Sequence, residues 1–301
     1  MLTGTSNKDR ILDNALVVGI TELIFMIGGM HCIRAIILAV SSTLDLGAGS
    51  FGEFMTTMIT LACFLIPIAF CLIYMRITKP QSLKVFTRGD FQRRLRSLLA
   101  GLLIGFFANG LISLLAGLTG AVNISFQSFN FYLILILPFV FIQCTCEEVL
   151  LRGYVPVYLK DRHDWSSIAF VSGTLFIFHH YRNLEYFGFS SAFCVNVFLT
   201  GVMLYLMVLV NGNFWICCGF HTAWNYTQQC LFGLPNSGQS SSFALFHGTE
   251  SKDTFFYNSV YGNEGSWMTT IVLSLLIVAL LYLLYHGRKL DRNRKHNRST
   301  Q

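Results

Sequence analysis

The sequence predicts an all-α, polytopic membrane protein, and three observations carry that reading. Apolar runs of about 20 residues recur along the chain, each long enough to cross a hydrocarbon core. Only 12% of the residues are charged and the mean hydropathy is +0.56, against about 25% charged in soluble domains. The runs are continuous rather than alternating, which selects helices over the strands of a closed barrel.

About eight transmembrane helices follow. The first, near 14–40, lacks a signal-peptide cleavage pattern and is too long for one, so it reads as a retained span. Spans near 54–75 and 97–118 flank the basic stretch 76–96. Further spans are expected near 130–157, 165–181, 190–210 and 213–232; the second of these is short enough to be only partly inserted. The last, near 267–286, runs into a basic tail.

Charge placement orients them. With the N-terminus inside, 17 of the 21 basic residues fall in inner loops, against two, Arg182 and Lys252, in outer ones. That split satisfies the positive-inside rule and predicts a multi-pass protein of the cell membrane with both termini cytoplasmic. The net charge of +6 is therefore a topology signal. The tail from Arg288 to Arg298 abuts a span, where anionic lipid accounts for it, so no nucleic-acid partner is expected.

No repeat, low-complexity tract or linker divides the chain, so residues 1–301 read as a single integral membrane domain. Asn236 to Gly265 is the only long polar interval. The nine cysteines lie in or at the ends of spans, away from the outer loop 234–266, which argues against an extracellular disulfide framework. Cys144, Cys146, Cys217 and Cys218 flank the polar motifs and read more simply as small packing residues than as metal ligands.

Three polar constellations interrupt the apolar spans. Glu147, Glu148 and Arg152 lie where each ionised group costs roughly 2.5–3.5 kcal/mol on insertion scales. Glu148 and Arg152, four apart, share a helical face and can pair, while Glu147 points about 100° away, free to face a cavity. In the second constellation Phe176 and His180 share a face and His179 looks elsewhere; an interfacial helix end is the plainer alternative. The third stacks His221 and Asn225 on one face, where an interhelical hydrogen-bonding pair is the plainer alternative. Together they offer a general base, imidazoles for water or metal, and an amide donor for an oxyanion.

The motifs EExxxR (Glu147 to Arg152), FxxxH (Phe176 to His180) and HxxxN (His221 to Asn225), in that order on separate helices, resemble the CPBP family of CAAX-processing and bacteriocin-processing (Abi) intramembrane proteases. The likeness covers about residues 130–235, on helices 4 to 7, which the resemblance makes the catalytic core. It implies an endopeptidase whose water is activated by Glu147 with His180 and His221, Asn225 steadying the oxyanion and Glu148, Arg152 and Phe176 as structural support. A divalent metal such as Zn2+ on Glu147, His180 and His221 is compatible with the resemblance, but no HExxH motif fixes its geometry. The implied partners are the bilayer and a membrane-associated peptide or lipidated CaaX-type protein tail.

Two other readings stay open on sequence: a bacteriocin-immunity protein that acts by binding, and a transporter with a proton relay, for which inverted repeats would be expected. A common site also makes a demand on the short helix. Counted along straight spans, His180 lies much farther from the inner face than His221, so helix 165–181 must tilt, start outside the bilayer or insert partly.

Overall fold

A computed structural model describes residues 11–43, 50–241 and 243–299, with the side chains of Ser41, Thr43, Ser50 and of 288–299 excepted. Lys8, Arg10 and the side chains of the basic C-terminal run lie outside the described residues. The chain is almost entirely helical: α1 (Ala15–Thr43), α2 (Ser50–Ala62), α3 (Leu65–Thr78), α4 (Phe91–Leu118), α5 (Tyr132–Glu148), α6 (Val155–Leu159), α7 (Trp165–His179), α8 (Tyr181–Phe187), α9 (Ser191–Asn211), α10 (Trp215–Tyr226) and α11 (Trp267–Ser299). Wider π turns, Val149–Tyr154 and Thr227–Leu231, follow α5 and α10.

Among the described residues, six segments are long and apolar enough to cross a membrane: Ala15–Val40, Phe51–Thr78, Phe91–Leu118, Tyr132–Leu159, Ser191–Asn211 and Trp267–Gly287. The other two spans expected from sequence are present as helices, but α7 has 15 residues and α10 has 12 before its π turn. Both carry polar motif residues.

Local chemistry explains the breaks. Pro67 has no N–H to return to Cys63, and the span Phe51–Thr78 divides there into α2 and α3. Pro156 likewise withholds a bond from the carbonyl of Arg152, at the end of the π turn. Asp164 caps α7 by accepting from the Ser167 N–H at 2.8 Å, and Gly212 closes α9 with φ of 71°.

α4 and α10 are pressed together along glycines. A Cβ on Gly105 would stand 2.3 Å from the carbonyl oxygen of Phe220, and one on Gly219 2.2 Å from that of Leu98. Only glycine allows that approach, the small-residue packing of membrane helices.

The connecting loops sort onto two sides. Asp13 pairs with Lys79 and lies 3.9 Å from Arg162, while Asn213 donates to the Arg88 carbonyl at 2.9 Å and Trp215 to that of Phe86. Those are the loops the charge count assigned to one face. On the other side β1 (Asn123–Phe126) pairs antiparallel with β2 (Phe246–Thr249), a small sheet not expected from sequence because its strands lie more than 100 residues apart.

Candidate active site

The end of α5 places two glutamates on different faces, as their spacing predicts. Glu148 is fully buried and faces away from the cavity; its Oε1 accepts from Arg152 Nη1 at 3.1 Å and from His221 Nδ1 at 2.9 Å. Arg152 Nη2 donates to the Gly201 carbonyl at 3.0 Å, and its guanidinium lies 4.8 Å from the Phe176 ring centroid. One ion pair thus ties α5 to α10, α9 and α7. Removing one partner from such a pair strands a buried charge at a cost of about 3–5 kcal/mol.

Glu147 faces a cavity of about 1110 Å³, which His179, His180, His221 and Asn225 also line. Gln143, one turn earlier on α5, donates to Glu147 Oε1. The other oxygen, Oε2, is buried without a hydrogen-bond partner and lies 3.9 Å from His221 Nε2. That gap is too long for a direct bond and suits a shared water.

Asn225 is oriented by its neighbours: Oδ1 accepts from Asn236 Nδ2 at 3.3 Å, and Nδ2 makes a weak contact with Cys144 Sγ at 3.4 Å. The second N–H of that amide is available. Asn236 in turn bonds Glu264, whose other oxygen accepts from the Ser237 N–H at 2.6 Å and hydroxyl at 2.8 Å. The loop that carries Asn236, Ser237 and Glu264 therefore walls the cavity and sets the Asn225 amide. Tyr261 pins this wall to α8, its hydroxyl donating to the Gly188 carbonyl at 2.5 Å; burial pushes the phenol pKa up, so it stays a donor.

The two histidines at the end of α7 are held separately. His180 Nδ1 bonds the Phe176 carbonyl at 2.9 Å, and the Phe176 ring stands between His180 (4.9 Å) and His221 (5.8 Å). His180 thus shares the cavity with Glu147 and His221 without touching either among the described residues. His179 Nε2 meets Glu22 Oε1 of α1 at 2.5 Å, with both side chains buried.

A Cβ on Gly19 would touch Leu175, so the last turn of α7 lies level with the second turn of α1. From Trp165 to His179 is about 21 Å of helix, against about 10 Å from Ala15 to Glu22. α7 therefore reaches that level on an inclined path or from farther out, and ends inside the depth that α1 spans.

Sequence reasoning missed Glu22, Gln143, Asn236 and Glu264. Glu22 carried a usable signal, since it is an ionisable group inside an apolar span, the same anomaly that singled out Glu147. Gln143 lies at helical spacing from Glu147. The loop residues carried none.

Among the described residues no three His, Cys, Asp or Glu side chains converge as ligands, and His221 Nδ1 is committed to Glu148. Glu147, His180 and His221 thus do not form a ready three-ligand site. Cys144, Cys146, Cys217 and Cys218 are buried packing residues around the motifs.

Residues 128–227 match the family model described as Type II CAAX prenyl endopeptidase Rce1-like. Over this core, about a third of its length, the chain is similar to CAAX-type proteases. No curated protein and no solved structure matches the chain. The CAAX-type match contains Glu147, Glu148, Arg152, Phe176, both α7 histidines, His221 and Asn225; Glu22, Asn236 and Glu264 lie beyond it.

Proposed function

We propose that this protein is an endopeptidase that hydrolyses a peptide bond near the C-terminus of a membrane-associated, prenylated CaaX-type tail, using water activated by Glu147. The observation that carries the reading is the buried, unpartnered Glu147 Oε2 facing His221 Nε2 across 3.9 Å. Immunity by binding and proton transport gain no comparable observation.

The chemistry follows from the partners. Glu148 accepts the Nδ1–H of His221, which leaves Nε2 with its lone pair toward the cavity. A water between Glu147 Oε2 and His221 Nε2 donates one hydrogen to each, so its oxygen lone pair faces outward to a carbonyl carbon. As the C–O bond forms, Glu147 takes the water proton and the spare Asn225 N–H meets the oxyanion. Collapse breaks the C–N bond, and the proton held on Glu147 passes to the leaving amine. His180 lines the same cavity and completes its polar wall.

The decisive measurement is cleavage of a synthetic farnesylated CaaX peptide by the protein in proteoliposomes. Glu147→Gln is expected to stay folded and lose about 10²–10⁴-fold in turnover. Equal turnover in the two proteins would sink the assignment.

We further propose that both termini face the cytoplasm of a cell membrane. Support comes from the basic loops gathering on one side, around Asp13, Lys79 and Arg162. A cysteine placed at 250 should react with an impermeant reagent from outside and one at 88 should not; labelling at 88 overturns the orientation.

A further inference from the structure

We propose that Arg182 binds the free α-carboxylate of the substrate's last residue, an inference that rests on the C-terminal reading above and deepens it. Among the described residues Arg182 is the single Lys or Arg lining the cavity. Nothing in the matched motifs gives it a role.

Its depth makes it unusual. Arg182 also borders a small cavity of about 80 Å³ against Leu23, Met26, Ile27 and Met30 of α1, the middle of the apolar segment Ala15–Val40. A cation at that level is costly unless water or an anion meets it, so it marks a functional position. Arg182 is exposed, and among the described residues no carboxylate lies within 4 Å of it.

Its position is also fixed. Asn183, the next residue, donates to the Ser237 carbonyl at 2.7 Å, and the Asn183 carbonyl lies 3.2 Å from the Tyr261 hydroxyl as a second, weaker acceptor beside Gly188. α8 is thereby pinned to the loop that carries Ser237 and Tyr261, one residue from the arginine.

Electrostatics then decides what Arg182 is for. Three carboxylates line the cavity: Glu147, facing His221; Glu264, taken up by Ser237 and Asn236; and Glu185, one turn beyond Arg182 and exposed. An anionic peptide end meets repulsion from all three, and Arg182 offers the one permanent positive charge. Its planar fork matches a carboxylate with two parallel hydrogen bonds. A three-residue extended tail spans about 10 Å, which a cavity of about 1110 Å³ accommodates.

The test uses the full-length Glu147→Gln protein in phosphatidylcholine nanodiscs and a farnesylated CaaX peptide made as the free acid and as the C-terminal amide. The acid should bind at least about tenfold tighter than the amide. Adding Arg182→Gln should bring the two within about twofold, and Arg182→Lys should restore part of the difference. Equal binding of acid and amide before Arg182 is changed overturns the proposal. So does an Arg182→Gln effect that weakens both peptides alike, or that shows only on adding phosphatidylserine, since the arginine then serves lipid. Cleavage by the wild type is scored separately. A wild type that cuts neither peptide while the acid is still preferred overturns the peptidase reading and leaves the anchor standing.

Discussion

Glu148 meets His221 at 2.9 Å within the matched core, and Glu22 meets His179 at 2.5 Å across the seam between α1 and α7. Both are carboxylate–imidazole pairs inside apolar helices, yet they are built to different standards. Glu148 Oε1 also takes an Arg152 N–H, and Arg152 continues to the Gly201 carbonyl and the Phe176 ring. Glu22 has the imidazole alone: its Oε2 and the Nδ1 of His179 are buried without partners. The first pair locks four elements together, whereas the second joins two; each leaves two buried atoms without a partner, Glu148 Oε2 and Arg152 Nε in the first, Glu22 Oε2 and His179 Nδ1 in the second. A buried polar pair is only as structural as the network that closes around it.

The largest effect that would break this comparison is on Glu148. Glu148→Gln keeps the shape but removes the charge that balances Arg152, leaving a buried guanidinium uncompensated. Thermal unfolding in nanodiscs should show a loss of about 3–5 kcal/mol, together with lost turnover because His221 is no longer held. Glu147→Gln should lose turnover at nearly wild-type stability, since Glu147 contacts the cavity and only Gln143 holds it. If the two glutamines destabilise the protein equally, the division of labour between the adjacent glutamates is wrong.

How much of this was legible depended on distance along the chain. Glu148–Arg152, Phe176–His180 and His221–Asn225 are each four residues apart, so helical geometry alone put each pair on one face. The apolar runs and basic loops likewise yielded the spans and their two-sided sorting. Contacts between distant segments were out of reach: Glu22 with His179, β1 with β2, and Glu264 with Asn236 depend on how helices and loops pack. The α7 histidines show both sides of this limit. Spacing correctly put His180 beside Phe176, but it could not show that the ring bonds its own helix's carbonyl. Nor could it show that His179, which lines the same cavity, meets a carboxylate of the first span.

The smaller effect concerns that second pair, and a double-mutant cycle sharpens it. Glu22→Ala strands the His179 imidazole in a buried seam, and an unsatisfied buried group costs about 1–3 kcal/mol. His179→Ala strands Glu22 in the same way, so the double variant should lose less than the sum of the single ones. A coupling of about 0.5–3 kcal/mol is expected for residues in direct contact, below the loss at Glu148 because no arginine is left uncompensated. Zero coupling would mean that the 2.5 Å contact contributes nothing to the fold. Destabilisation by Glu22→Ala exceeding that of Glu148→Gln would reverse the ranking. In that case the seam between α1 and α7, outside the matched core, would hold the cavity in shape more firmly than the Glu148–Arg152–His221 network does.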